Sequence, residues 1–223
     1  MTKAVKSKLL NHLNLINSMG YNYLQPIDLK EITQCDVEMP NNYALLQSMA
    51  INCNLCDLSK SRKNVVFGQG NTDADVMFIT NSIASIEDEL GKFYVGKAGQ
   101  LLVKMIENVL GFSVNKFYIT SITKCATSNH KAININEINI CKPYLDKQIE
   151  LIKPKLIVTL GDLSYKYLLS DDTDFSKIRG KVLKYNNIDI LPTYHPSHLL
   201  RNPSAKKEAF HDMLKIKSIM ESF

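Results

Sequence analysis

Four short apolar runs, "DVMFIT", "KFYIT", "KLIVTLG" and "IDILPTY", recur along the later part of the chain, each parted from the next by a stretch of helical periodicity. Such runs are too short for buried helices but suit strands covered on both faces. Helices between them supply the covering layers and make the strand connections parallel. "NVVF" reads as a further strand, "AGQLLVKMIENVLG" as a helix closed by Gly111, and "INEINICKPYLDKQIELIK" as a long helix stopped by Pro154. "DLSYKYLL" reads as another helix, and Pro203 with Ser204 opens a terminal one. The pattern predicts an α/β fold with a parallel sheet. Ligands of such sheets gather at the carboxyl ends of the strands, which places Thr80, Thr120, Gly161 and Tyr194 in one neighbourhood.

A chain of 223 residues can build one principal domain with an appendage. Leu9, Leu10, Leu13, Leu15, Ile16 and Met19 fall near helical spacing before Gly20, and "YALLQSMAIN" reads as a second helix. The expected division is therefore a helical extension over residues 1–50 and a main domain over 51–223. Apolar residues make up 45% and charged residues 22%, the balance of a globular protein, and no apolar run reaches bilayer length. Asn11, His12, Asn14 and Asn17 interrupt the apolar stretch an export signal would need, so a cytoplasmic protein without membrane contact is expected. The net charge is +5, and residues 1–50 are neutral, so the whole basic excess lies downstream, where a polyanion would bind.

Four of the five cysteines form a pattern: Cys53 and Cys56 make a C-x-x-C, while Cys125 and Cys141 have fifteen residues between them. Four thiolates suit a tetrahedral zinc or an iron–sulfur cluster, and spacing alone does not separate the two. Disulfides fit poorly with a chain lacking an export signal. Cys35 stands outside the set and reads as a small buried apolar residue.

The segments around these cysteines, "CNLCDLSKSRKNVVFGQGNTDADVMFI", "GKFYVGKAGQLLVKMIENVLG", "FYITSITKC", "CKPYLDKQIELIKPKLIVTLG" and "LPTYHPSHLLRNPSAKKEAF", resemble in order the blocks of the type-4 uracil-DNA glycosylases. The likeness runs from about Cys53 to near the C-terminus. It implies a three-layer α/β/α sandwich around a short central parallel sheet, and a 4Fe–4S cluster on Cys53, Cys56, Cys125 and Cys141 that staples the fold beside the DNA-binding surface. It also implies a DNA partner, single- or double-stranded. His195 matches the family histidine that donates toward uracil O2. Ser197, Leu199, Leu200 and Arg201 match the loop that presses into the DNA groove, where an apolar side chain fills the vacated stack and Arg meets phosphate. Lys60, Arg62 and Lys63 follow the first cysteine pair, where they either meet phosphates or form a solvated loop.

Other positions depart from the family pattern. Where G-E-A-P-G is usual, this chain has Thr80, Asn81, Ser82, Ile83 and Ala84, so Asn81 replaces the water-positioning Glu and Ser82 lies beside it at the base site. Asn can orient water but cannot take its proton, nor lend a negative charge to an oxocarbenium-like sugar. Ser121 stands where an Asn reads uracil, Tyr94 replaces the stacking Phe, and Phe93 replaces a Pro. Two readings follow. One is a DNA repair glycosylase that cleaves the glycosidic bond of uracil or another damaged base, with His195 as electrophile and Asn81 holding water. The other is a catalytically inactive glycosylase fold that binds DNA and recruits a replication or repair protein through its N-terminal helices.

Overall fold

The computed structural model describes residues 39–127 and 133–223. The helix expected before Gly20, and Cys35, fall outside these described residues. From Met39 to Phe223 the chain forms one compact unit.

Helix α1 (Tyr43–Ile51) starts where the Asn42 side chain accepts a hydrogen bond from the Leu45 amide at 3.0 Å. Leu46 and Ala50, one turn apart, carry its buried face onto Phe67 and Tyr144. The extension expected over residues 1–50 thus contributes α1 to the core of the main unit. A short α2 (Leu58–Ser61) follows the first cysteine pair. "NVVF" is extended but forms no ladder; the strand β1 is Gln69–Gly70. The Lys63 and Asn64 amides instead donate to the Asp88 carboxylate, and the Asn64 side chain donates to the Asp88 carbonyl at 2.7 Å. The start of that segment is thus held by a helix end, and its Phe67 carbonyl by side chains, Thr120 of β3 and Gln148, each at 2.9 Å, so no strand ladder forms.

The sheet continues with β2 (Val76–Thr80), then helices α3 (Ser85–Leu90) and α4 (Gly96–Met105) lead to β3 (Tyr118–Ser121). Helix α4 runs on into a π-helical turn, Ile106–Leu110, and ends at Gly111, which adopts the left-handed conformation the sequence anticipates. Helix α5 (Ile135–Ile152) returns to β4 (Leu156–Leu160), α6 (Asp162–Leu169) and the short α7 (Phe175–Ile178) precede β5 (Leu183–Tyr185) and β6 (Ile188–Thr193), and α8 (Pro196–Arg201) and α9 (Lys206–Met220) close the chain. The six strands are ordered β1-β3-β2-β4-β6-β5. The inner four are parallel as expected, whereas both edge strands are antiparallel. At one edge the cause is local: Asn186 and Asn187 both have positive φ (46° and 68°), and Asn tolerates the tight hairpin that joins β5 to β6.

Every residue of β2 and β4 is buried, and alternate side chains feed two separate cores. Val76 and Phe78 join Leu102 of α4 and Ile106 of the π-helical turn with Met213 and Ile216 of α9. Met77 and Ile79 join Ile149 and Ile152 of α5 with Leu168 of α6. Two apolar layers on a fully covered sheet are the three-layer α/β/α sandwich. After β2 the chain moves to one side and after β4 to the other, so a crevice opens at the carboxyl ends of these two strands.

Candidate active site

His195 sits at that crevice, just past β6, as the residue before α8, whose first turn is set by Pro196. Its Nδ1 accepts from the Ser197 backbone N–H at 3.1 Å and lies 2.7 Å from the Ser197 hydroxyl. A backbone amide can only donate, so Nδ1 holds a lone pair and the proton of the neutral ring is assigned to Nε2. Nε2 is 2.8 Å from Thr80 Oγ1 at the end of β2. Burial lowers the His195 pKa to about 4, with the charges of Arg201 and His198 acting in the same direction. At neutral pH the ring is therefore an uncharged N–H donor aimed at the strand ends.

Beside it lies a cavity of about 290 Å³, lined by Thr80, Ser82, Glu87, Tyr94, Lys97 and His195 among others. Tyr94 forms one wall with a positive φ of 64°, and its buried hydroxyl has no hydrogen-bond partner. The turn is possible because Gly99 of α4 lies against it: a Cβ there would come within 2.5 Å of the Tyr94 carbonyl carbon.

Glu87 is a cavity-lining carboxylate that sequence reasoning passed over. It lies one turn into α3, its carboxylate accepts from the Ala84 amide at 2.9 Å, and it faces the cavity. Burial raises its pKa to about 7, partly offset by that hydrogen bond. An acid three residues beyond the loop is the N3 half of a capping box, and this was the available signal.

The expected polar readers divide. Ser82 and Tyr94 line the cavity with His195. Asn81 does not: its Oδ1 accepts from the Ser164 amide at 2.8 Å, capping α6, and it faces a second groove on the other side of His195. Ser121 is fully buried and donates to the Thr80 carbonyl at 3.3 Å. On α8, Ser197 holds the imidazole, Leu199 is 1% exposed and part of the core, and Leu200 is 42% exposed. Of the pair, only Leu200 is open to solvent. Arg201 is exposed, its Nε bonded to the Ser197 carbonyl at 3.3 Å.

Cys53, Cys56, Cys125 and Cys141 surround one small, almost wholly apolar cavity between α1, α2 and α5. Burial pushes the Cys141 thiol up to about 11 and raises Cys125 as well, so thiolates there require a positive centre. Two cations are built in. Arg62 donates to Cys125 Sγ at 3.2 Å, and the fully buried Lys124, lowered to about 8 by desolvation, bonds Thr120 Oγ1 and the Ser121 carbonyl at 2.7 and 2.6 Å. Of the basic residues expected near phosphates, Arg62 is thus turned inward, while Lys60 pairs with Asp57 at 2.7 Å and Lys63 with Glu89. Among the described residues no three His, Cys, Asp or Glu come close enough to hold a single ion. Four thiols ringing one cavity are the donor set an iron–sulfur cluster needs, one cysteine sulfur to each iron.

Residues 67–215 match the family model of the uracil DNA glycosylase superfamily. The chain is 39% identical over 182 residues to the type-4 uracil-DNA glycosylase of Sulfurisphaera tokodaii, covering 78% of this chain and 83% of that protein. It is 38% identical to the enzyme of the same name from Saccharolobus solfataricus, over 82% of this chain and 88% of the relative, and 32% identical to that from Thermotoga maritima, over 76% and 90%. A likeness carried by most of both chains, together with a half-buried histidine just past β6 that lines the cavity at the strand ends, leaves one assignment: the chain belongs to the uracil-DNA glycosylase superfamily, among the type-4 uracil-DNA glycosylases.

Proposed function

We propose that the protein is a DNA repair glycosylase that hydrolyses the N-glycosidic bond of uracil in DNA. The observation that carries the reading is the neutral His195, its Nε2–H directed into a cavity sized for one flipped base. Uracil takes the Thr80 hydroxyl's place as acceptor of that proton, through O2. The C1′–N1 bond breaks with its electron pair passing to the base, and the uracil anion is stabilised by the Nε2–H donor. Tyr94 supplies the flat wall against the ring. Glu87, ionised above about pH 7, holds the water that adds to C1′ and accepts its proton. The carboxylate missing at position 81 is thereby supplied from α3. Leu200 occupies the vacated stack, and Arg201 meets backbone phosphate.

Cys53, Cys56, Cys125 and Cys141 hold a 4Fe–4S cluster in this reading, and the cluster joins α1, α2 and α5 without taking part in bond cleavage. Arg62 and Lys124 offset its negative charge. The protein works in the cytoplasm; among the described residues no helix is long and apolar enough to cross a membrane. Of the N-terminal helices expected to recruit a replication or repair partner, the first falls on residues outside those described, and the second is α1, whose Leu46 and Ala50 pack on Phe67 and Tyr144.

A second reading, a DNA-binding protein without catalysis, draws support from one observation: both Asn81 and Ser121 spend their side chains on backbone groups instead of on the cavity. Excision assays with Glu87→Gln and His195→Ala separate the two. The glycosylase reading expects abasic product from the natural protein and losses of about a hundredfold or more in each variant. Equal, background-level product from all three supports the second reading.

A further inference from the structure

The second groove, about 380 Å³ in volume, adjoins the base cavity and shares Ser82, His195 and Ser197 with it. Its wall is a pile of flat groups. The rings of Tyr194 and His198 are parallel to within 4° at 4.9 Å, Phe175 meets Tyr194 edge-on at 5.7 Å, and the Arg179 guanidinium lies 5.2 Å from the Tyr194 ring. The inner members are fixed: Tyr194 donates to Glu208 at 2.8 Å, and Arg179 is held by Asp212 at 2.6 Å. The outer member is His198, half-buried and held only by a long contact of 3.5 Å to Asn202. Charge at the rim favours a nucleotide. Arg201 lines the groove, and its one carboxylate, Asp162, is paired with Lys166 at 3.1 Å.

We propose that this groove takes the nucleobase next to the flipped one in the same DNA strand, stacked on the outer face of His198, with Arg201 beside the intervening phosphate. Two cavities meeting at His195 hold consecutive nucleotides, one inserted for cleavage and one stacked for grip. Stacking is indifferent to base identity, since every base has a π-face, so the site adds affinity without sequence preference. Asn81, which floors this groove, then belongs to the neighbour's site and not to the uracil's.

The inference rests on the reading that the first cavity accepts a flipped nucleotide, and binding to an uncleavable strand tests it separately from catalysis. Single-stranded oligonucleotides carrying a 2′-fluorinated deoxyuridine are compared with the same strands lacking the base on the 5′ or the 3′ flank. With the natural protein, removing the base on one flank is expected to weaken binding by roughly tenfold, within the range of base–aromatic stacking. His198→Ala should bind the intact strand about tenfold more weakly and lose its sensitivity to that flank, and His198→Phe should restore both. A flank effect of equal size in the natural protein and His198→Ala, or no effect at either flank, overturns the proposal. Coupling without excision in the companion assay would sink the glycosylase reading alone, and excision without coupling would sink this one alone.

Discussion

At the residue scale, the hydrogen bond between Thr80 and His195 is where this chain departs most consequentially from a bare glycine loop. In the proposed function the hydroxyl occupies the donor that uracil would take, so binding would exchange one hydrogen bond for another. Thr80→Val keeps the branched shape and removes the competitor. It should raise kcat/KM for uracil excision by roughly fivefold, the worth of about 1 kcal/mol, with little change in fold. Glu87 and His195 make opposite pH signatures. Glu87 has a folded-state pKa of about 7 against an ordinary 4.5, so the stability of its protonated form is complete below the ordinary value and lost as pH rises through about 7. His195 is depressed to about 4 from 6.5, so its neutral form stabilises the fold above the ordinary value and that contribution is lost as pH falls toward about 4. The two slopes oppose each other between these limits. Glu87→Gln removes one of them: thermal melts should show the variant more stable than the natural protein at about pH 8, by on the order of 2 kcal/mol, and the difference gone near about pH 4. In the same variant, the rise of excision rate with pH through about 7 should disappear.

At the scale of elements, the site depends on how α4 and α6 approach the strand ends. Gly99 lets α4 close on the left-handed Tyr94. Gly99→Ala should displace that wall, lowering the melting stability by about 1–3 kcal/mol and excision by about tenfold or more, as measured on uracil-containing single strands. Gly161, with φ of +98°, brings α6 so close that a Cβ would meet Asn81 Nδ2 at 2.8 Å. The elements themselves were legible in the sequence. "DLSYKYLL" is α6 residue for residue, and the four apolar runs are the four parallel strands. "NVVF" misled because a β-branched pair with an aromatic reads as a strand, while the tie from Asn64 to Asp88 involves residues distant in sequence. Neither edge strand was read from the sequence, because β1 has two residues and β5 three, too few to show a strand period.

At the scale of the whole molecule, the four cysteines of the sequence pattern line one cavity with residues of α1, α2 and α5. The strand pattern placed Tyr194 at the strand ends, and His195, singled out by the resemblance, follows it there, 2.8 Å from Thr80. The resemblance could not place Asn81 or Ser121, since a one-residue match says nothing of where a short polar side chain finds its partner. Asn81 found a helix N-terminus and Ser121 a strand carbonyl. Glu87 was hidden for the complementary reason: helix acids are common and most face solvent. If the thiols carry iron, Cys141→Ser should lose the broad visible absorption and bound iron and sulfide, and should melt lower by on the order of 3 kcal/mol, since the cluster closes long loops. Zinc in the natural protein would contradict that assignment.

The account turns on whether this altered pocket cleaves. Purified protein, incubated at stoichiometric ratio with single- and double-stranded DNA bearing one uracil, should yield an abasic site that breaks under alkali, and His195→Ala should not. No abasic product from the natural protein on either substrate would contradict the account.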